Sequence, residues 1–409
     1  MNILQFFTKK SSLGFILITT FLNFLGFSII IPVLPFLVEK YVTTTTPNII
    51  GFYVGVLMSV YALCQFLAAP GLGMLSDRFG RRPILLVSLA GSVVGYIFLG
   101  IAGSLWMLFL GRIIDGLTGG NISTIYAYIA DITEPKQRGK YYGLLGAAGG
   151  VGFMIGPVVG GYLGALHLSA PFYLAAGVTL LNMVWGYFVL PESLKAEHKL
   201  TAVSLTHLNP FNQFEHIFSI KTLRILFFSA FLFFLPLMAY QAIAAIFMKD
   251  ILSFGPAGIG TVLFVVGVVD IFSQGFLTHK LVPILGELKL TVLGLITIGI
   301  GYAMVASVAI IPSVLLLYIG VIILIIGDGL FEPSMSGLIA NAVEPRMQGR
   351  VQGANQSMQS AARVVGPFYG GWAYQLGRSV PFFSNIIFVV IALIPLTFFH
   401  SHIKDHNQI

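Results

Sequence analysis

Apolar residues in this chain gather in long, nearly continuous runs, separated by short polar interruptions rich in Lys, Arg, Gly and Pro. A helix rises 1.5 Å per residue, so about 20 apolar residues cross the ~30 Å hydrocarbon core of a bilayer. Runs of this kind fall at about 13–38, 51–72, 83–103, 105–128, 141–165, 170–190, 223–247, 258–279, 288–308, 313–338, 350–375 and 380–400. They predict an all-α membrane protein with twelve transmembrane helices. The runs lack the alternation of an outer-membrane strand, and a helix satisfies its own backbone hydrogen bonds where lipid cannot. The first run is too long for a signal-peptide core and lacks a small-residue cleavage site, so it counts as span one.

The longest polar interruption runs from Pro191 to about Thr222 and contains Glu192, Lys195, Glu197, Lys199 and Glu215. It predicts an N-terminal six-helix bundle at 1–190, a cytoplasmic central linker at 191–222, and a C-terminal six-helix bundle with a short tail at 223–409. The halves also repeat. At an offset of 210, Pro135 meets Pro345, Gly139 meets Gly349, Gly143 meets Gly353, Gly156 and Pro157 meet Gly366 and Pro367, and Gly160 and Gly161 meet Gly370 and Gly371. A six-span repeat of one orientation implies two pseudo-symmetric bundles about an axis along the membrane normal. Such a fold has a cavity between its halves and opens it to each side in turn by rocking.

Composition agrees with the membrane reading. Of 409 residues, 57% are hydrophobic and 9% charged, against about a quarter charged in a soluble domain. The net charge of +7 lies mostly in short loops rather than in one stripe, which argues against a nucleic-acid partner. Lys9, Lys10, Arg78, Arg81, Arg82, Lys136, Arg138, Lys140 and most other basic residues fall on one side, and Lys40, Lys249 and Arg378 on the other. The positive-inside rule then puts both termini and the linker in the cytoplasm of a multi-pass cell membrane. Cys64 is the single cysteine and reads as packing, and the eight histidines show no metal-ligand spacing. No metal and no cofactor are expected, and the chain is expected to act as a monomer.

Ionisable groups at bilayer depth carry the most information, because each costs about 2.5–3.5 kcal/mol on insertion scales. Arg112 and Asp115 stand three apart in span four, on one helix face, where an ion pair lowers the cost of both. Asp328 and Glu332 stand four apart on one face of span ten, just before Pro333. Two carboxyls so close in a poorly solvated site should not both ionise, which suits proton loading and release. Asp270 in span eight is a further proton carrier, or an attraction for a cationic substrate. These five are the candidate proton-coupling residues. Asn23, Tyr240, Gln241 and Arg363 are candidate cavity residues. The plainer readings are a structural Arg112–Asp115 pair, a solvated Asp328–Glu332 pair meeting Arg363 or a lipid head group, and ordinary helix–helix bonds for Asn23, Tyr240 and Gln241.

Two glycine-rich stretches complete the chemistry. "GMLSDRFGRRP", Gly73 to Pro83, resembles the cytoplasmic loop signature of the major facilitator superfamily. By that resemblance Gly73, Asp77, Arg78, Gly80, Arg81 and Arg82, with Asp131 at the exit of span four, form a conformational latch that holds the outward-facing state. The second-half copy, "GFLTHKLVPILGE", puts His279 where Asp77 stands and ends acidic. "GLLGAAGGVGFMIGPVVGG" in span five resembles the antiporter motif of drug:proton antiporters, with Gly146, Gly150, Gly156, Pro157, Gly160 and Gly161. The resemblance implies a seal against leak, while tight helix packing is the plainer reading.

Arg112 in "GRIIDGLTGG" is similar to the family's span-four signature, implicated in proton transfer. Along almost its whole length the chain resembles the tetracycline:proton antiporter branch, including "FLNFLGFSIIIPVLPFL", "YIADIT" and "LPES". That branch has Asp where this chain has Asn23, His where it has Asp270, and a span-nine acid absent from "LGLITIGIGY". The resemblance implies proton-coupled antiport of an amphipathic small molecule such as a drug, siderophore or metabolite, with coupling through different carboxylates and without tetracycline following as substrate. The alternative is proton symport or exchange of a small nutrient, which the span-five motif opposes. A receptor or scaffold would not need the cavity charges, and no nucleophile, base and orienter set marks an enzyme.

Overall fold

The computed structural model describes residues 3–42, 46, 48–101, 103–195, 197, 199, 221–343 and 347–406. Nearly all of them are helical, and no strand occurs among them. The helices are α1 (Ile3–Ile29), α2 (Leu34–Tyr41), α3 (Ile49–Phe79), α4 (Arg81–Ile101), α5 (Leu105–Gly119), α6 (Ile122–Ile132), α7 (Arg138–Leu166) and α8 (Ala170–Val189). There follow α9 (Lys221–Leu252), α10 (Pro256–Phe272), α11 (His279–Leu285), α12 (Glu287–Val308), α13 (Val314–Asn341), α14 (Gln348–Leu376) and α15 (Val380–His406). A π-helical turn, Ser273–Thr278, joins α10 to α11. Most of the linker expected at 191–222, and Pro345 and Arg346 of the repeat and charge pattern, lie outside the described residues.

Among the described residues, nine helical stretches are long and apolar enough to cross a membrane. The other three expected spans depart from that pattern for visible reasons. Span four is broken into α5 and α6 at Gly120–Asn121. Span eleven, α14, carries a run of Gln, Asn and Ser in its first half. Span twelve contributes the shorter apolar stretch Val380–Leu396. Expected boundaries shift as well, notably in the first two spans. Span one is interrupted at 30–33, where Pro32 offers no N–H to continue the ladder. Span two continues past its expected end at Leu72 as far as Phe79.

The chain forms two compact units, one of residues 1–43, 60–209 and 255–264, the other of 44–59, 210–254 and 265–409. In the first, α1 packs on α7, and α4 on α5 and α8. In the second, α9 packs on α14, and α12 on α13 and α15. The same pairings thus recur in chain order. Each unit caps its fourth span alike: Ser104 Oγ accepts from Met107 N–H and Ser313 Oγ from Leu316 N–H, both at 3.3 Å.

The α1–α7 and α9–α14 contacts repeat almost atom for atom. A Cβ on Gly156 would sit 2.8 Å from Leu25 O and 3.2 Å from Ile29 N, and one on Gly366 would sit 2.8 Å from Leu235 O and 3.1 Å from Ala239 N. Those partners differ by the same offset of 210. Backbones this close exclude any larger residue, which is how helices gain dispersion contact in lipid, where hydrophobic burial contributes little. Pro157 and Pro367 lie inside α7 and α14 one residue on.

Candidate functional site

The first unit places its buried charges beside the break in span four. Arg112 is 0% and Asp115 2% exposed, with Nη1 and Oδ2 3.9 Å apart, an ion pair too long for a hydrogen bond. The Arg112 guanidinium lies 4.3 Å from the Tyr61 ring centre and 5.9 Å from that of Phe27, so aromatic faces share its charge. Tyr96 stands within electrostatic reach of both members of the pair. At the break, Gln65 Nε2 donates to Gly119 O at 3.0 Å, and Asn23 Nδ2 donates to Asn121 Oδ1 at 2.9 Å. A backbone carbonyl at the interruption is thereby answered by a side chain of α3, and the Asn121 side chain by one of α1. Asn23 is thus bonded across helices to Asn121.

The second unit gathers carboxylates instead. Asp328 is 7% exposed, and its Oδ1 finds no hydrogen-bond partner among the described residues. Asp328 lies within electrostatic reach of Glu332 and Asp270, and Glu332 within reach of Asp270 and Arg363. Glu332 and Asp270 are half-buried and Arg363 exposed. Gln274 Nε2 donates to Asp270 Oδ1 at 2.8 Å. Three acids therefore share these surroundings with one guanidinium, which acts on Glu332, an imbalance that a proton or a cationic ligand would relieve. Tyr240, 4% exposed, packs edgewise on Tyr302 and Phe382 with ring centres 6.1 and 6.3 Å away, and Gln241 is half-buried on the same helix.

The loop motif folds into an interlock within the first unit. Gly80 takes φ +115°, a conformation side chains oppose, and a Cβ there would also strike the Glu192 carboxylate. That carboxylate caps α4: Arg81 N–H donates to Oε1 at 2.8 Å and Arg82 N–H to Oε2 at 3.2 Å. The Arg81 side chain, buried, pairs with Asp77 and with Asp131 Oδ2 at 3.2 Å, and donates to Ser76 Oγ at 2.6 Å. Ser193 Oγ also donates to Asp131, at 2.9 Å. Arg82 Nη2 donates to Tyr187 O at 2.6 Å, while exposed Arg78 lies over the Phe79 ring and Gly73 faces Ser123. In the second unit Gly286 has φ +77°, and Asn341 Nδ2 donates to both Glu287 oxygens at 3.2 and 3.0 Å.

On α7, Gly156 and Gly160 face the α1 backbone, and Gly161 faces Pro256 and Gly260 of the same unit, whereas Gly146 and Gly150 face open space. Most of the expected residues thus fall into four groups: Arg112 with Asp115; Asp270, Asp328, Glu332 and Arg363; the Arg81 interlock; and the packed glycines of α7, with Asn23, Tyr240, Gln241, Gly146 and Gly150 outside them. Sequence reasoning missed Glu192, Ser193, Tyr61 and Gln65. The two amides that open α4 signalled a need for an acceptor, but nothing nearby in sequence named it.

Known proteins resemble this chain over most of its length. The family model described as Major Facilitator Superfamily matches residues 16–367 and, in an overlapping match, 226–408. Tetracycline resistance protein, class C, of Escherichia coli is 34% identical over 88% of this chain and 88% of its own length. Multidrug resistance protein 2 of Bacillus subtilis (strain 168) is 28% identical over 93% of this chain and 94% of its own. Among solved structures, a bacterial homolog of the human lysosomal transporter Spinster, inward-facing and occupied, superposes with a TM-score of 0.76 at 16% identity, covering 94% of this chain and 95% of that one. The human organic anion transporter MFSD10 gives 0.69 at 22%, covering 95% and 99%. These two likenesses bear on the fold. With the family model spanning most of its length and a relative of this identity covering most of it, the chain belongs to the Major Facilitator Superfamily of membrane transporters.

Proposed function

We propose that this transporter exports an amphipathic small molecule across the cell membrane in exchange for protons, by alternating access of two six-helix halves divided at 191–222. The carrying observation is the acid group of the second unit, in which buried Asp328 keeps an oxygen without a hydrogen-bond partner among the described residues. Buried polar groups are ordinarily satisfied, so an unsatisfied carboxyl sharing its surroundings with two more acids is fitted to gain and lose a proton. Asp328, Glu332 and Asp270 carry the protons, and Arg112 with Asp115 assists. Asn23, Tyr240, Gln241 and Arg363 contribute to substrate contact. Gly73, Asp77, Arg78, Gly80, Arg81, Arg82 and Asp131 act as the latch, and Gly146, Gly150, Gly156, Pro157, Gly160 and Gly161 as the seal. The protein works as a monomer with both termini in the cytoplasm, as its loop charges favour.

The relatives named for tetracycline and multidrug resistance support efflux of drug-like compounds. Each pH unit contributes ~1.4 kcal/mol per proton, so one or two protons sustain a useful gradient. The test is collapse of an imposed pH gradient in everted vesicles on addition of tetracycline, ethidium or a siderophore. A compound that releases the gradient only when the transporter is present supports the reading. Unchanged pH-driven transport of that compound in both Asp328→Asn and Glu332→Gln would overturn the assignment of the acids.

A further inference from the structure

Asp328 sits on a stretch of α13 whose backbone ladder is incomplete. Pro333, inside the helix, has no N–H, so the Gly329 carbonyl lacks its usual donor four residues on. Thr278 Oγ1 donates to that carbonyl at 2.6 Å, and Ser273 Oγ donates to Ile326 O at 3.0 Å. These two carbonyls bracket Asp328, and the two hydroxyls are the first and last residues of the π turn. Ser273 is 0% and Thr278 3% exposed. Gly329 has no Cβ, and one there would collide with the Ser273 side chain. Asp270 lies three residues before the turn and is bonded to Gln274 within it.

A π turn holds one residue more than α geometry, and relaxation to α would rotate Asp270 relative to Thr278 by about 100°. We infer that Ser273 and Thr278 are positioning residues, two pins that fasten the π turn to α13 on either side of Asp328 and so hold Asp270 beside it. The inference takes its meaning for transport from the proposed role of these acids, but the geometry can be tested without transport.

The groups facing Asp328 are Asp270 on α10, Glu332 on its own helix and Tyr302 on α12, with Arg363 on α14 acting through Glu332. Dicyclohexylcarbodiimide, which reacts with protonated buried carboxyls, labels the full-length protein across a pH series, read by mass spectrometry at Asp328. In the wild-type background, Asp270→Asn should move the pH of half-maximal labelling by about one unit, the scale of a close charge pair. In Ser273→Ala or Thr278→Val backgrounds the same change should move it several-fold less, and Thr278→Ser should restore the shift. If Thr278→Val does not fold, the Ser273→Ala background carries the comparison. Equal shifts in all backgrounds, or none in the wild type, would overturn the inference. Either result leaves the vesicle test of proton coupling to stand or fall separately.

Discussion

The helix pair α1–α7 and its counterpart α9–α14 are built alike, while spans four and ten are not. Gly156 and Gly366 meet backbone atoms one repeat apart in number, yet counted from the matched caps Ser104 and Ser313, Arg112 and Asp115 correspond to Val321 and Leu324, and Asp328 corresponds to Gly119. Duplication preserved the surfaces on which backbones touch, where any added atom is penalised. Charge was then distributed unequally. The first unit cancels its charges in a pair shielded by aromatic rings, and the second leaves three acids against one arginine.

Breaking the cancelled pair should have the largest effect. Arg112→Ala strands Asp115 in a buried site and should cost about 3–5 kcal/mol, read as a lowered unfolding midpoint in detergent. Arg112→Ala with Asp115→Ala should recover most of that loss; a double variant no better than the single would show that the pair does not cancel. Next, Asp328→Asn should lower pH-driven transport about 100-fold, the scale of a lost acid–base group, with much less effect on stability. The duplicated packing gives a matched pair of smaller effects. Gly156→Leu and Gly366→Leu should each cost roughly 1–3 kcal/mol, and a large inequality between their unfolding midpoints would break the likeness of the two contacts. Smallest is the turn comparison. Gly286→Ala, with positive φ but open space around it, should cost ~1 kcal/mol, less than Gly80→Ala, which adds a collision with Glu192.

Much of this was legible in the chain. Apolar runs gave the helices, and glycines and prolines at a fixed offset gave the repeat, because both signals are local. Asp77 and Arg81 are only four apart, but α3 ends at Phe79 and Gly80 turns the chain between them, so helix spacing did not announce their pair. Partners far along the chain stayed hidden: Asn23 and Asn121 are 98 residues apart, Thr278 and Gly329 51, and Arg81 and Glu192 111. Pro333 advertised a carbonyl in need of a donor without naming Thr278. The π turn, SQGFLT, puts Ser273, Gln274 and Thr278 inside a mostly apolar run, but polar residues in a helix do not by themselves tell π from α geometry, so periodicity could not reveal it. The break in span four was written in Gly119–Gly120, but a glycine pair inside an apolar run also reads as simple close packing.

Glu192 has a practical bearing for anyone rebuilding this protein. Its one carboxylate serves the opening amides of α4 and also Leu194 N–H at 3.0 Å, so the chain leaving α8 is tied down before it departs. A fluorescent reporter or affinity tag spliced between Pro191 and Leu194 would pull that tie loose and unsettle a turn more than a hundred residues upstream, whereas a splice placed after Lys199 would leave it intact.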